Sequence, residues 1–203
     1  MPEKLFFSTK MSGKMKGFHS LATSPLDCEF CDKMAKVEGS ICSFCYSRKA
    51  MRTYASRARP RWKKNGEILS TRILAEDELP TIDRKYFRLQ SHGELINETH
   101  YINLINIAKK NPKTLFKLPT KQKGIVAKLG KMGADNVFLT YSEPMLNHFT
   151  NVIPKNFDRK FSVFTPEYAE ENGIELNCAG KKCMDCLQCY TTNDIKFINE
   201  HKR

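Results

Sequence analysis

Apolar and polar positions follow two rhythms along the 203 residues. Runs rich in aromatic and aliphatic residues predict strands at Tyr86-Phe87-Arg88-Leu89-Gln90, Thr114-Leu115-Phe116-Lys117-Leu118, Asn136 to Tyr141 and Phe161-Ser162-Val163-Phe164-Thr165. Between them the apolar residues recur at helical spacing. Ala50, Met51, Tyr54 and Ala58 predict a helix from Tyr46 to about Arg59, which Pro60 ends or kinks. Ile68, Leu69, Ile73 and Leu74 predict another from Gly66 to Leu79. Leu104, Ile105 and Ala108 mark a helix from about Glu98 to Lys110, stopped by Asn111-Pro112, and a short one follows over 121–131. A first strand is expected within residues 1–27, near the apolar patches Leu5-Phe6-Phe7 or Phe18 to Ala22.

This alternation has the spacing of βαβ units, so the fold class is α/β with a parallel sheet. The expected architecture is a partial or open βα barrel-like domain with cysteine-rich loops near both ends, since the chain is too short for an eightfold barrel. The layout is a single domain over 1–203, with an N-terminal cysteine cluster at 28–45, an α/β core at 46–167 and a C-terminal cysteine cluster at 178–189. Parallel units gather polar groups beyond the strand C-termini. Those ends read Ser91-His92-Gly93-Glu94, Pro119-Thr120-Lys121, Tyr141-Ser142-Glu143-Pro144 and Thr165-Pro166-Glu167. Glu94 could accept from a ligand amine, and Gly93 would let backbone approach closely. His92 is a further candidate, as a base, a ligand or a satisfied surface histidine, and Lys121 and Glu143 are two more.

The strongest chemical signal is the cysteines. Cys28-x2-Cys31-x10-Cys42-x2-Cys45 and Cys178-x4-Cys183-x2-Cys186-x2-Cys189 use all 8. Each is a complete set of four thiolates for a metal site. The first has the form of a zinc ribbon. The second contains the tight run of an iron–sulfur ferredoxin, although Tyr190 stands where that run continues. Zinc and a [4Fe–4S] cluster therefore both remain open for each. Short-range pairs suit metal better than disulfides, and free thiols at this density suggest a reducing, cytoplasmic setting. Tyr46 and Tyr190 each follow a last cysteine and would shield a cluster or simply pack.

Charge adds one feature. The formal net charge is +12, from 34 basic and 22 acidic residues. Arg48, Lys49, Arg52, Arg57, Arg59, Arg61, Lys63 and Lys64 fall in one stretch with no acid among them. A polyanionic partner such as nucleic acid fits that stretch, with Tyr54 or Trp62 to stack a base, and so does a merely solvated helix. No stretch has the length of apolar residues that a membrane span needs.

Two resemblances follow from these residues. Cys31, Cys42, Phe44 and Cys45 resemble a widened form of the three-cysteine motif of radical S-adenosylmethionine enzymes, and His92-Gly93-Glu94 matches two of three positions of that family's Gly-Gly-Glu motif. This resemblance implies a [4Fe–4S] cluster on Cys31, Cys42 and Cys45, and Glu94 on the amine of S-adenosylmethionine. Arg48 would then face its carboxylate. Cys28 departs from the pattern, because a fourth ligand closes the iron that the cofactor would use. The chain more nearly resembles a phage family, the gene-product-eighty-eight-like proteins. Cys42, Cys45 and Tyr46, the Ser91-x-Gly93-Glu94 segment and the C-terminal Cys-x2-Cys-x2-Cys carry that likeness. It implies a viral origin, a place in the host cell cytoplasm and iron–sulfur content, with no established reaction.

Overall fold

The computed structural model describes residues 4–202. Among these, seven strands form one sheet in chain order. They are β1 (Phe7–Ser8), β2 (His19–Leu21), β3 (Tyr86–Arg88), β4 (Leu115–Thr120), β5 (Val137–Ser142), β6 (Arg159–Phe164) and β7 (Phe197–His201). β1 pairs antiparallel with β2, and every later pair is parallel. The expected open α/β architecture is present as an open sheet. It does not close into a barrel, because β1 ends it on one side and β7 on the other.

Sequential parallel strands need crossovers of one hand, which stack the connecting helices on one face. The main core shows this face. Phe87, Leu89, Phe116, Leu118, Val137 and Leu139 of the sheet pack against helix side chains. The helices are α3 (Arg59–Thr71), with Ile68 and Leu69, α4 (Glu98–Lys110), with Leu104, Ile105 and Ala108, and α5 (Lys123–Leu129), with Val126. Burial of each such side chain is worth about 1.5–3 kcal/mol. Phe116 and Leu118 face the helices, so Lys117 between them faces the other side of the sheet. Arg88 stands in register beside it on β3.

Polar side chains set the helix ends. Asn97 caps α4 by accepting from His100 N at 2.9 Å. α3 stops at Thr71, short of the expected Leu79, where Arg72 turns extended. Buried Asn103 of α4 holds that exit: it donates to the Leu69 and Arg72 carbonyls and accepts from Leu74 N. Pro60 does not end a helix. The expected helix over 46–59 is α2 (Tyr46–Arg52), and Pro60 sits in the first turn of α3, where its missing N–H costs no hydrogen bond. α1 (Glu29–Met34), α6 (Pro166–Glu171) and α7 (Cys183–Cys186) are short. No described helix is long and apolar enough to cross a membrane.

Candidate thiolate centres

The C-terminal cysteines meet the sheet on the face away from the helices. Cys178 is fixed to β7 by its N–H, which donates to the Asn199 carbonyl at 2.9 Å. α7 carries Cys183 and Cys186, and Leu187, left-handed at φ 48°, turns the chain back so that Cys189 returns to the sheet. Cys178, Cys183, Cys186 and Cys189 line one cavity together with Arg88 and Lys117. Lys117 Nζ donates to Cys189 Sγ at 3.0 Å. Lys14 Nζ donates to the Cys178 carbonyl and Sγ and pairs with Glu200. Tyr190 closes the cavity, stacked on Phe18 at 5.1 Å and edge-on to Tyr86 at 5.6 Å.

Three donors around this cavity are buried and lack a partner: Arg88 Nε, Gln188 Nε2 and Tyr190 Oη. An unpaired buried donor costs about 1–3 kcal/mol, so a cluster of them signals a missing acceptor. Burial pushes the Cys178 and Cys183 thiols up. Burial also pushes Cys189 up, but Lys117 and Arg88 outweigh it and hold that thiol below its ordinary value. Among the described residues, no three Cys, His, Asp or Glu side chains converge on a position for a single metal ion. The four thiols stand around the cavity walls instead.

The N-terminal cysteines lie at the C-terminal edge of the sheet. Cys28 starts α1, which carries Cys31, and Cys45 starts α2. The loop between them turns at Gly39 and is fastened beyond β5. Ser40 Oγ donates to the Pro144 carbonyl and accepts from Cys42 N, each at 3.1 Å. Ile41 N donates to the same carbonyl at 2.8 Å. The hydrogen bond between Cys28 and Cys31 lowers the first thiol and raises the second.

Glu94 sits beside these cysteines, and it is buried. Its carboxylate accepts from Leu95 N at 2.8 Å, Thr120 Oγ1 at 2.5 Å and Lys121 N at 2.9 Å. A carboxylate has about four acceptor positions, so a ligand amine would have one left. Lys121 stands among Glu94, Cys42, Cys45 and Cys31. Burial alone would lower its ammonium, but these neighbours outweigh it and hold it above its ordinary value. Arg48 also lies here, committed through Nη1 to Asp32 at 2.6 Å and to the Pro25 carbonyl at 2.9 Å. Gly93 turns at φ +77° against Thr23. His92 lies under Trp62, rings stacked at 4.5 Å, and bonds Ser47 Oγ at 2.8 Å.

A family model described as gene product 88 matches residues 7–202. The chain belongs to the gene product 88 family. This is the phage gene-product family that its cysteine and Ser-x-Gly-acid patterns resemble. No curated protein and no solved structure matches the chain.

In this member of the gene product 88 family the basic stretch divides in two. Arg48 pairs with Asp32, Arg59 with Asp27, and Lys63 and Lys64 with Glu67. Arg61 lies over the Phe6 ring. Lys49, Arg52 and Arg57 make no ion pair among the described residues and are exposed. Tyr54 is 84% exposed and Tyr46 66%, whereas Trp62 is buried against His92 and cannot stack a base. Arg88, Lys117 and Gln188 were not candidates on sequence. For Arg88 and Lys117 the signal is a charged residue in the middle of a strand run, Arg88 between Phe87 and Leu89 and Lys117 between Phe116 and Leu118; Gln188 carries no such signal.

Proposed function

We propose that this chain is an iron–sulfur protein whose C-terminal cysteines hold a [4Fe–4S] cluster. The observation that carries this reading is the cavity walled by four cysteines and three buried, unpartnered donors, with Lys117 Nζ 3.0 Å from Cys189 Sγ. The cavity is lined by the tight Cys183-x2-Cys186-x2-Cys189 run, whose spacing is that of iron–sulfur ferredoxins. Donors facing these thiolates suit a body rich in sulfur acceptors and negative charge. When bound, such a cluster supplies one-electron chemistry. The chain's own residues do the rest. Lys117, Arg88 and Lys14 offset the thiolate charge, and Tyr190 with Phe18 keeps water from the inner wall. The N-terminal cysteines, around Lys121, form a second thiolate centre of the same class.

Anaerobic purification followed by iron, sulfide and zinc analysis tests the reading. Iron and acid-labile sulfide in equal amounts are expected. They should fall together on Cys183→Ser or Cys189→Ser. Stoichiometric zinc without sulfide in protein kept free of oxygen overturns it.

A second reading concerns the partner. Lys49, Arg52 and Arg57 beside two exposed tyrosines form a surface suited to single-stranded nucleic acid, with cations for phosphate and rings for bases. It uses residues that the cysteine centres do not, so both readings can hold in one molecule.

A further inference from the structure

We infer that the two cysteine centres form an electron-transfer pair arranged along β4. This rests on the iron–sulfur reading above and deepens it. The placement comes from one strand. Lys117 of β4 touches the C-terminal centre through Cys189 Sγ. Lys121, just past the end of β4, lies beside the N-terminal centre, where its N–H donates to Glu94 and its Nζ donates to Ser142 Oγ. Cys42 is tied to the same level of the sheet, through Ser40 to the Pro144 carbonyl. Lys121 lies one residue beyond β4, so the two lysines stand four residues apart along one line of chain. Four residues of strand span about 13 Å. Centres that each sit beside one of two lysines so spaced are within direct electron tunnelling.

Both centres reach the surface. Cys186 lines the inner cavity and also an open surface groove, together with Lys181, Lys182 and Asp185. Beside Cys45, Phe44 is 43% exposed and Tyr46 66%. A low-potential one-electron donor, a reduced flavin or iron–sulfur protein, would meet the chain at either centre. With clusters held by the two sets of cysteines, one electron would take the receiving core from 2+ to 1+. Passing on, it would lower the other core from 2+ to 1+ and return the first to 2+. Lys117, Lys14 and Arg88 surround the C-terminal centre and Lys121 the N-terminal one, so each holds positive charge against an added electron.

The test uses the full chain, reconstituted without oxygen. Iron and sulfide are counted first, and a stepwise reduction with dithionite or titanium(III) citrate is then followed by electron paramagnetic resonance. The expected result is about twice the iron of a single cluster. At low reduction the spectrum is that of isolated spins. At full reduction it is broadened or split, and relaxes faster, as the two spins meet. The comparison is internal, so no variant has to fold. Cys45→Ser and Cys186→Ser, where they do fold, should each return the unsplit spectrum of the remaining centre. Iron and sulfide at both centres with a fully reduced spectrum equal to the sum of two isolated ones overturns the pair and leaves the iron–sulfur reading standing. Loading of only one centre, or zinc in the N-terminal one, also overturns the pair. Absence of sulfide from both overturns the iron–sulfur reading as well.

Discussion

A Cβ built on Gly93 would lie 2.3 Å from Thr23 Oγ1 and 2.6 Å from the Thr23 carbonyl oxygen. The backbone there is left-handed at φ +77°, and Thr23 N donates to the His92 carbonyl at 3.1 Å. Side chain and backbone of Thr23 both block the position, so no rotamer change relieves it. Gly93→Ala is expected to destabilise the chain by about 2–4 kcal/mol, from strain and forced displacement together. Urea unfolding of the wild type and variant measures this. If the N-terminal cysteines hold iron, the substitution should also weaken its retention, because the same contact seats Glu94 beside them.

Lys117→Met keeps most of the volume and removes the charge on Cys189. If the cysteines hold iron–sulfur clusters, the variant should still load iron, since all eight remain. Its C-terminal centre should become harder to reduce, because the ammonium favours the more negative core. A fall in midpoint potential on the order of 60 mV corresponds to one tenfold step in a one-electron equilibrium. Potentiometric titration reads it. An unchanged potential with full iron content would remove Lys117 from the electrostatics of that centre.

His100 is fully buried, accepts from Ile96 N at 3.2 Å and leaves Nε2 without a partner. Burial lowers its pKa from 6.5 to about 3. Its folded-state pKa is therefore below its unfolded one, and the unfolded chain takes up the proton first. The stability tied to the neutral ring is complete above pH about 6.5 and drains away as the pH falls toward 3. His100→Gln, whose amide oxygen can still accept from Ile96 N, should flatten that acid limb. Denaturant midpoints of both proteins between pH 7 and pH 4 make the comparison.

If the Lys49–Arg57 surface takes single-stranded nucleic acid, Arg52→Ala and Arg57→Ala should weaken binding whatever the sequence. Each should reduce the salt slope by roughly 0.7 per lost phosphate contact. Tyr54→Ala should cost about 1–3 kcal/mol with the salt slope unchanged. Fluorescence anisotropy with a labelled oligonucleotide over a salt series separates these effects. Glu94→Gln should leave affinity intact.

The parts of this fold visible in sequence are those whose side chains repeat a simple period. β4 and α4 show it in Phe116 and Leu118 and in Leu104, Ile105 and Ala108, all of them buried. β7 was not expected, because Phe197-Ile-Asn-Glu-His places one large apolar residue, Ile198, at a fully buried position and fills the next with Glu200. Glu200 is tolerated there because Lys14 neutralises it from the other end of the chain. Pro60 was misread for a local reason: the same ring stops a helix in its interior and suits its first turn. At the candidate sites the cysteines were plain from spacing. Gln188 was not, since nothing local distinguishes a donor beside a cavity from one facing solvent. Arg48 and Glu94 were placed beside the N-terminal cysteines, but their hydrogen bonds to Asp32, Pro25, Thr120 and Lys121 join segments far apart in sequence.

The clasp of Lys14 on Cys178 and Glu200 joins residues 164 and 186 positions apart. β7, which holds Cys178 through Asn199, is the last strand of the sheet to be made. During synthesis the N-terminal cysteines leave the ribosome early and can gather while the chain is still growing. The C-terminal ones have no floor until β3, β4 and β7 are all present. If that centre takes a cluster, loading waits until β7 has joined the sheet. Contacts of such long range also form slowly. Capture of a cluster there should then depend on how long its reduced thiols survive before Lys14 meets Cys178 and Glu200.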